Sequence, residues 1–394
     1  MRTVTDIERR ARIGRRHALA PSHRLQTPED VTRALTVLHS TEPASVHLSV
    51  QARAPGVTVA DLERALYDER TLVKQLAMRR TLFVFPRDLL PATWGSASAR
   101  VAAQLRPRLA KEVQEGGLAP DGAAWVDAAC AAVLAHLEGG RELSAQELRE
   151  QVPELEGRID LAVGKSYGAN VSIAPRVLTQ LAVEGRLVRG RNGGHWRVSR
   201  PQWTLMEDWL GEPVLPAKAD EGYAELVRRW LLSFGPGTEA DLVWWLGATK
   251  AAVRAALTAV GAVEVRLEDG SPAYLHPDDT EVVEPPEPWA ALLPVLDPTV
   301  MGWKQRDWYL GEHGPHLFDR NGNAGTTAWV DGRAVGCWVQ DDEGLVRVHL
   351  LEDLTEAETA LVDAEAQRLT RWLDGVVIST VYPSTSMKEA RGVT

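Results

Sequence analysis

The hexapeptide Leu38-His39-Ser40-Thr41-Glu42-Pro43 sets an imidazole, a hydroxyl and a carboxylate side by side. His39 and Thr41 stand two residues apart, so on a chain leaving a helix they can point to one side and share a single water molecule. A histidine behind a helix also reads as a capping or surface residue favoured by the dipole. The local residues leave both readings open. A second group is basic. Gly185 to Arg200 carries Arg186, Arg189, Arg191, Arg197 and Arg200 with no acidic residue, a density that suits contact with a phosphate backbone.

A helix over 27–38 has to deliver the hexapeptide. Thr27 is its N-cap, Pro28 its first residue, Glu29 and Asp30 suit the positive end of the dipole, and Val31, Ala34, Leu35 and Leu38 recur at helical spacing. Upstream, residues 5–18 read as a basic helix. Downstream, Thr58 caps a short helix, Gln75 to Phe85 reads as one extended run ended by Pro86, and helices follow over 88–115 and 125–137. Ser144 and Glu147 form a capping box, and the polar stretch 158–170 reads as loop. The basic group then falls on a wing. A helix opened by Ser172 and ended at Gly185 precedes strands 187–191 and 195–198, joined by Asn192-Gly193-Gly194.

The same order of helices and hairpin recurs over 221–276, but there the wing carries Glu264, Glu268 and Asp269 and is followed by Asp278, Asp279 and Glu281. Such a wing repels phosphates, so this copy is expected to pack against its neighbours or to build a wall. Glu284 to Pro294 reads as a proline-rich linker. Strands are expected over 326–330, 335–340, 345–349 and 376–381, with a helix over 356–373 and fraying after Pro383. The fold class is α+β: tandem winged helix-turn-helix domains plus a small C-terminal β domain with one helix. Boundaries are placed at 1–120, 121–215, 216–285 and 286–394.

Composition sets outer bounds. The 394 residues are 44% hydrophobic and 25% charged, with a net charge of −10, as in a soluble globular protein of several domains. Residues 1–25 nonetheless hold seven arginines against Asp6 and Glu8. Positive charge is concentrated while the total is acidic. Cys130 and Cys337 form no metal-type pair and no disulfide framework. No apolar run approaches membrane-spanning length, and a cytoplasmic protein without metal or cofactor is expected.

Several segments, in order along nearly the whole chain, resemble the AlkZ-like winged-helix DNA glycosylases: LHSTEP, MRRTLFVFPRDLLPA, GPGTEADLVWWLG, LLPVLDPTVMGWKQRDWYL and WVDGRAVGCW. The resemblance implies tandem winged helices and a β domain around duplex DNA. It also implies DNA repair by excision of alkylated purines, including crosslinks left by genotoxic natural products, hence genotoxin self-resistance. The family's usual signature is QxQ or QxD within a segment like LQAQDP. Here His39 and Thr41 replace both signature residues, and Glu42 stands where aspartate is usual.

The chemistry so implied breaks a C1′–N bond through an oxocarbenium-like transition state. A cationic N7- or N3-alkylpurine leaves neutral, so the enzyme chiefly places and activates a water. His39 can position that water and add general-base capacity, Thr41 can fix its line of attack, and Glu42 can orient the imidazole or face the sugar cation. A monofunctional hydrolase is expected, because no lysine stands in a recognisable Schiff-base setting. DNA contacts are assigned to Arg79 and Arg80, which match a basic position of the family's MRGTL-like segment, to Arg189, Arg191, His195 and Arg197 on the wing, and to Lys304 and Arg306. Trp196 reads equally as a wing tip or as a core anchor. The partner is double-stranded DNA carrying alkylated purines, with no membrane, and the protein is expected to be a monomer. The alternative is a non-catalytic winged-helix protein that binds DNA or the lesion.

Overall fold

The computed structural model describes residues 2–161 and 169–392. The chain divides into two compact units: 1–65, 196–198 and 224–394 form unit 1, and 66–195 with 199–223 form unit 2. Helix and strand are mixed in both, and among the described residues no helix is long and apolar enough to cross a membrane.

Unit 1 opens with Thr3–Val4, which lies parallel to Val263–Leu267, itself antiparallel to Pro272–Leu275. The helix Asp6–Arg16 follows, its first turn capped by the Thr5 hydroxyl. Its arginines turn inward. Arg9 and Arg12 are 5% and 2% exposed. Arg12 pairs with Glu8 at 2.7 Å and with Asp279 at 3.1 Å, Arg16 pairs with Asp279, and Arg9 lies 3.8 Å over the Trp308 ring while bonding Asp6 at 3.2 Å. Asp279, just after the 263–275 hairpin, therefore neutralises Arg12 and Arg16 of this helix. Helices Glu239–Leu246 and Lys250–Val260 close on Gly247 and Gly261, at φ 62° and 69°, a left-handed conformation that glycine adopts without strain.

Around the hexapeptide the chain departs from the sequence expectation. The helix Pro28–Ala34 ends four residues early, since Thr36 has φ 64° and turns the backbone. Leu38–His39 is extended, and a new helix, Pro43–Gln51, begins at once. The C-terminal sheet runs Ala290–Leu293, Thr327–Val330, Arg333–Gln340, Val346–Leu350, each neighbour antiparallel. Helix Glu356–Leu373 covers it, burying Val362, Leu369 and Leu373 against Leu292, Val330 and Trp338. The linker thus contributes an edge strand, because Ala290–Leu293 is wholly apolar and fully buried. Residues 376–381 form no strand: Ile378 and Val381 donate their amides to the side chains of Gln340 and Glu42. Nor do the described residues after Pro383 fray, for Thr385–Ala390 is a helix that buries Ser386 and Met387.

Unit 2 gathers helices Ala99–Glu115, Gly122–Leu137 and Ala174–Val183 around Val113, Val126, Val133, Leu178 and Leu181. The run 75–85 is a hairpin, Leu72–Leu76 against Leu82–Pro86. Thr81 donates its amide to the Met78 carbonyl at 3.0 Å, and the two residues between them, Arg79 and Arg80, have φ 54° and 61°. The polar stretch 158–170 also pairs, Arg158–Leu161 with Ala169–Ser172, while 162–168 lie outside the described residues. In the basic wing, Leu187–Asn192 pairs with Pro201–Leu205 rather than with 195–198. Asn192 accepts from the Arg200 amide at 2.7 Å and donates to Gly194, so it holds a wide loop in place of a two-residue turn.

Candidate active-site loop and basic cleft

Within unit 1 the hexapeptide is the connection between two helices. Extended backbone at Leu38–His39 leaves His39 8% exposed, and Thr41, next but one, is exposed. The Thr41 amide donates to His39 Nδ1 at 3.4 Å, a long contact. Glu42 occupies the N-cap position of Pro43–Gln51 yet does not cap that helix. Its Oε1 instead accepts from the Thr380 hydroxyl at 3.1 Å and the Val381 amide at 2.9 Å. Its other oxygen has no partner among the described residues. The carboxylate is fixed at one end and open at the other.

The helix behind this loop is locked from below. Ser45 donates to the Val295 carbonyl at 2.7 Å, and Ser49 to Asp297 at 2.6 Å. Arg53, just beyond the helix, grips Asp297 with two nitrogens at 2.9 and 2.7 Å, and both side chains are fully buried. Burial pushes the Asp297 carboxyl up, but the Arg53 charge and the bonds from Arg53, Ser49 and the Thr299 amide outweigh it and hold the group below its ordinary value. Thr299 also donates to His17 Nδ1 at 2.8 Å, with the His17 Nε2–H directed to the Ser233 carbonyl at 3.0 Å. Burial, helped by the Arg53 charge, pulls His17 down to about 3. It stays neutral.

The wing loop divides between the units. Trp196 belongs to unit 1, where its ring lies 4.9 Å from His47 and 5.6 Å from Trp372, which makes it an anchor rather than a free tip. Arg197 donates to the Val377 carbonyl, so it and Glu42 meet the same C-terminal segment. Of the remaining unit 1 residues, Arg306 packs between Trp244 and Phe318, at 4.9 and 4.6 Å, and donates to the Trp303 carbonyl. Lys304 is exposed with its amide pinned by Asp241 at 2.8 Å.

Unit 2 holds Arg79, Arg80, Arg189, Arg191 and His195. Arg191 pairs with Asp68 at 2.7 Å, and His195 is exposed in the loop. Arg80 and Arg189 come together in a cleft of about 390 Å³. Arg108, Arg176, Glu112 and Gln180 line the same cleft. Sequence reasoning missed these, as it missed Thr380, Val381, Arg53 and Asp297. The tail partners of Glu42 lie more than 300 positions away from it and carry no local signal. Arg108 on the 99–115 helix and Arg176 on the 174–183 helix read as ordinary solvated charges. Among the described residues, no group of three or more His, Cys, Asp or Glu side chains could hold a metal ion.

A family model described as DNA glycosylase AlkZ-like matches residues 32–372. A search of curated proteins finds no match. Among solved structures, the Streptomyces sahachiroi DNA glycosylase AlkZ is similar, with a TM-score of 0.75, 21% identity, and coverage of 95% of this chain and 98% of that one.

Proposed function

Because the chain belongs to the AlkZ-like DNA glycosylase family, we propose that it hydrolyses the N-glycosidic bond of N7- or N3-alkylated purines in duplex DNA, bulky and crosslinked adducts included. The observation that carries this reading is the fixed loop, with His39 and Thr41 on one short connection beside a carboxylate anchored through a single oxygen. With Nδ1 facing the Thr41 amide, His39 offers its Nε2 to the water, a positioning role of the kind a glutamine amide fills. Thr41 adds a second hydrogen bond. The unpartnered oxygen of Glu42 is the stronger acceptor, suited to take the water's proton or to face the developing sugar cation.

DNA is held by Arg79, Arg80, Arg189, Arg191, His195, Arg197, Lys304 and Arg306 on winged-helix modules spanning 1–120, 121–215 and 216–285, with 286–394 as the β domain. The capped helix, helix and hairpin orders over 145–205 and 239–275 support that division. The protein works as a monomer in the cytoplasm.

Single-turnover base release from a duplex carrying one N7-alkylguanine tests the reading. His39→Ala is expected to slow release by about 100-fold or more, and His39→Gln to retain much of it. The substitution of both signature glutamines favours a second reading, a protein that binds DNA or the lesion without cutting. That reading takes over if the wild type binds small and bulky adducts alike and leaves the base in place.

A further inference from the structure

We propose that the unit 2 cleft lined by Arg80, Arg108, Arg176, Arg189, Glu112 and Gln180 is a built site for one phosphate group. The inference rests on the DNA-binding reading for only one of the two sources considered below, and on catalysis for neither.

Charge is the first argument. Arg108 and Arg176 share a single carboxylate, each bonding one oxygen of Glu112, at 2.8 and 2.9 Å. Arg80 and Arg189 have no carboxylate partner at all among the described residues. The cleft thus carries a surplus of positive charge that nothing in the fold cancels. Arg189 is the decisive group: it is half-buried, its guanidinium lies 5.2 Å from the Trp203 ring centroid, and its Nε is buried with no hydrogen-bond partner. A guanidinium partly withdrawn from water without a counter-charge is unfavourable in a folded protein, and an anion would complete it.

Shape is the second argument. Guanidinium forks match phosphate oxygens, and four arginines line one space large enough for a phosphate with its attached sugar. The floor includes Gln180, 1% exposed, whose amide nitrogen is spent on Glu184 at 2.7 Å while its Oε1 is buried without a donor. The turn bearing Arg80 adds strain, because two consecutive arginines adopt positive φ where glycine or asparagine is usual.

Two sources offer this chemistry, the backbone of a nucleic acid and a free phosphate ester, and the experiment separates them. Full-length wild type, Arg189→Met and Arg80→Ala are titrated with inorganic phosphate and with dAMP at constant ionic strength, read by thermal shift. They are also titrated with an undamaged duplex over a range of salt, read by anisotropy. A backbone source predicts that each variant weakens duplex binding and lowers the slope of log K against log salt by about 0.9. A free-ester source predicts that phosphate and dAMP stabilise the wild type and not Arg189→Met. In phosphate-free buffer Arg189→Met is expected to melt higher than the wild type, the opposite of what a structural arginine would do. The proposal is overturned if Arg189→Met answers phosphate, dAMP and duplex as the wild type does. Absence of base release by the wild type, with these binding responses intact, would sink the glycosylase reading and leave the cleft standing.

Discussion

Two regions of this chain are rich in arginine, and they use it in opposite ways. In unit 1, Arg2, Arg9, Arg12, Arg16 and Arg24 each find a carboxylate, and Arg10 finds the Trp308 carbonyl. Only Arg15 of that group lacks such a partner among the described residues. In the unit 2 cleft, a single glutamate serves two arginines and none serves Arg80 or Arg189. Charge written into a sequence is therefore not charge available to a ligand. What decides is which acids the fold delivers, and Asp279 and Glu365 reach the N-terminal arginines from the far end of the sequence.

If that contrast is right, the largest effect belongs to the most deeply spent arginine. Arg53→Ala leaves Asp297 buried without its partner and should cost about 3–5 kcal/mol in denaturant unfolding. Next comes acid. His17, held near 3 in the folded state, refuses a proton that the unfolded chain accepts below its ordinary value. Its contribution to stability is complete above about pH 6.5 and falls as the pH drops toward the folded value. Between pH 7 and pH 5 the loss should reach about 2 kcal/mol, and His17→Gln should flatten it.

A smaller loss, about 1–2 kcal/mol, is expected for Arg12→Met, since Arg2 and Arg16 still reach Glu8 and Asp279. Its duplex affinity should match the wild type. A fall in affinity on anisotropy would break the contrast. The smallest effect has the opposite sign. Arg80→Gly relieves a left-handed arginine, worth about 1 kcal/mol, less the glycine's chain entropy. The net gain should be about 0.5 kcal/mol by denaturant unfolding, alongside weaker binding.

Caps, turns and periodicity made much of this fold legible: Thr27, Thr58, Ser144, Thr238 and Thr249 each cap the helix that follows them. The expectations that failed did so where side chains overrode the local pattern. Asn192-Gly193-Gly194 spells a tight turn, but the loop opens around Asn192's own hydrogen bonds and the burial of Trp196. Gln75 to Phe85 spells one strand, and nothing in Arg79-Arg80 announces two positive φ angles. The hexapeptide was legible as chemistry but not as geometry. Its helix ends early at Thr36, and the anchoring of Glu42 depends on residues at the other end of the chain.

That last dependence has a consequence for synthesis. Glu42 leaves the ribosome early and Thr380, 338 positions later, near the end. The helices flanking the loop can form as soon as they emerge, yet the carboxylate is not tethered until the tail arrives. A chain released before residue 380 would carry every residue of the hexapeptide and still lack the hold on Glu42.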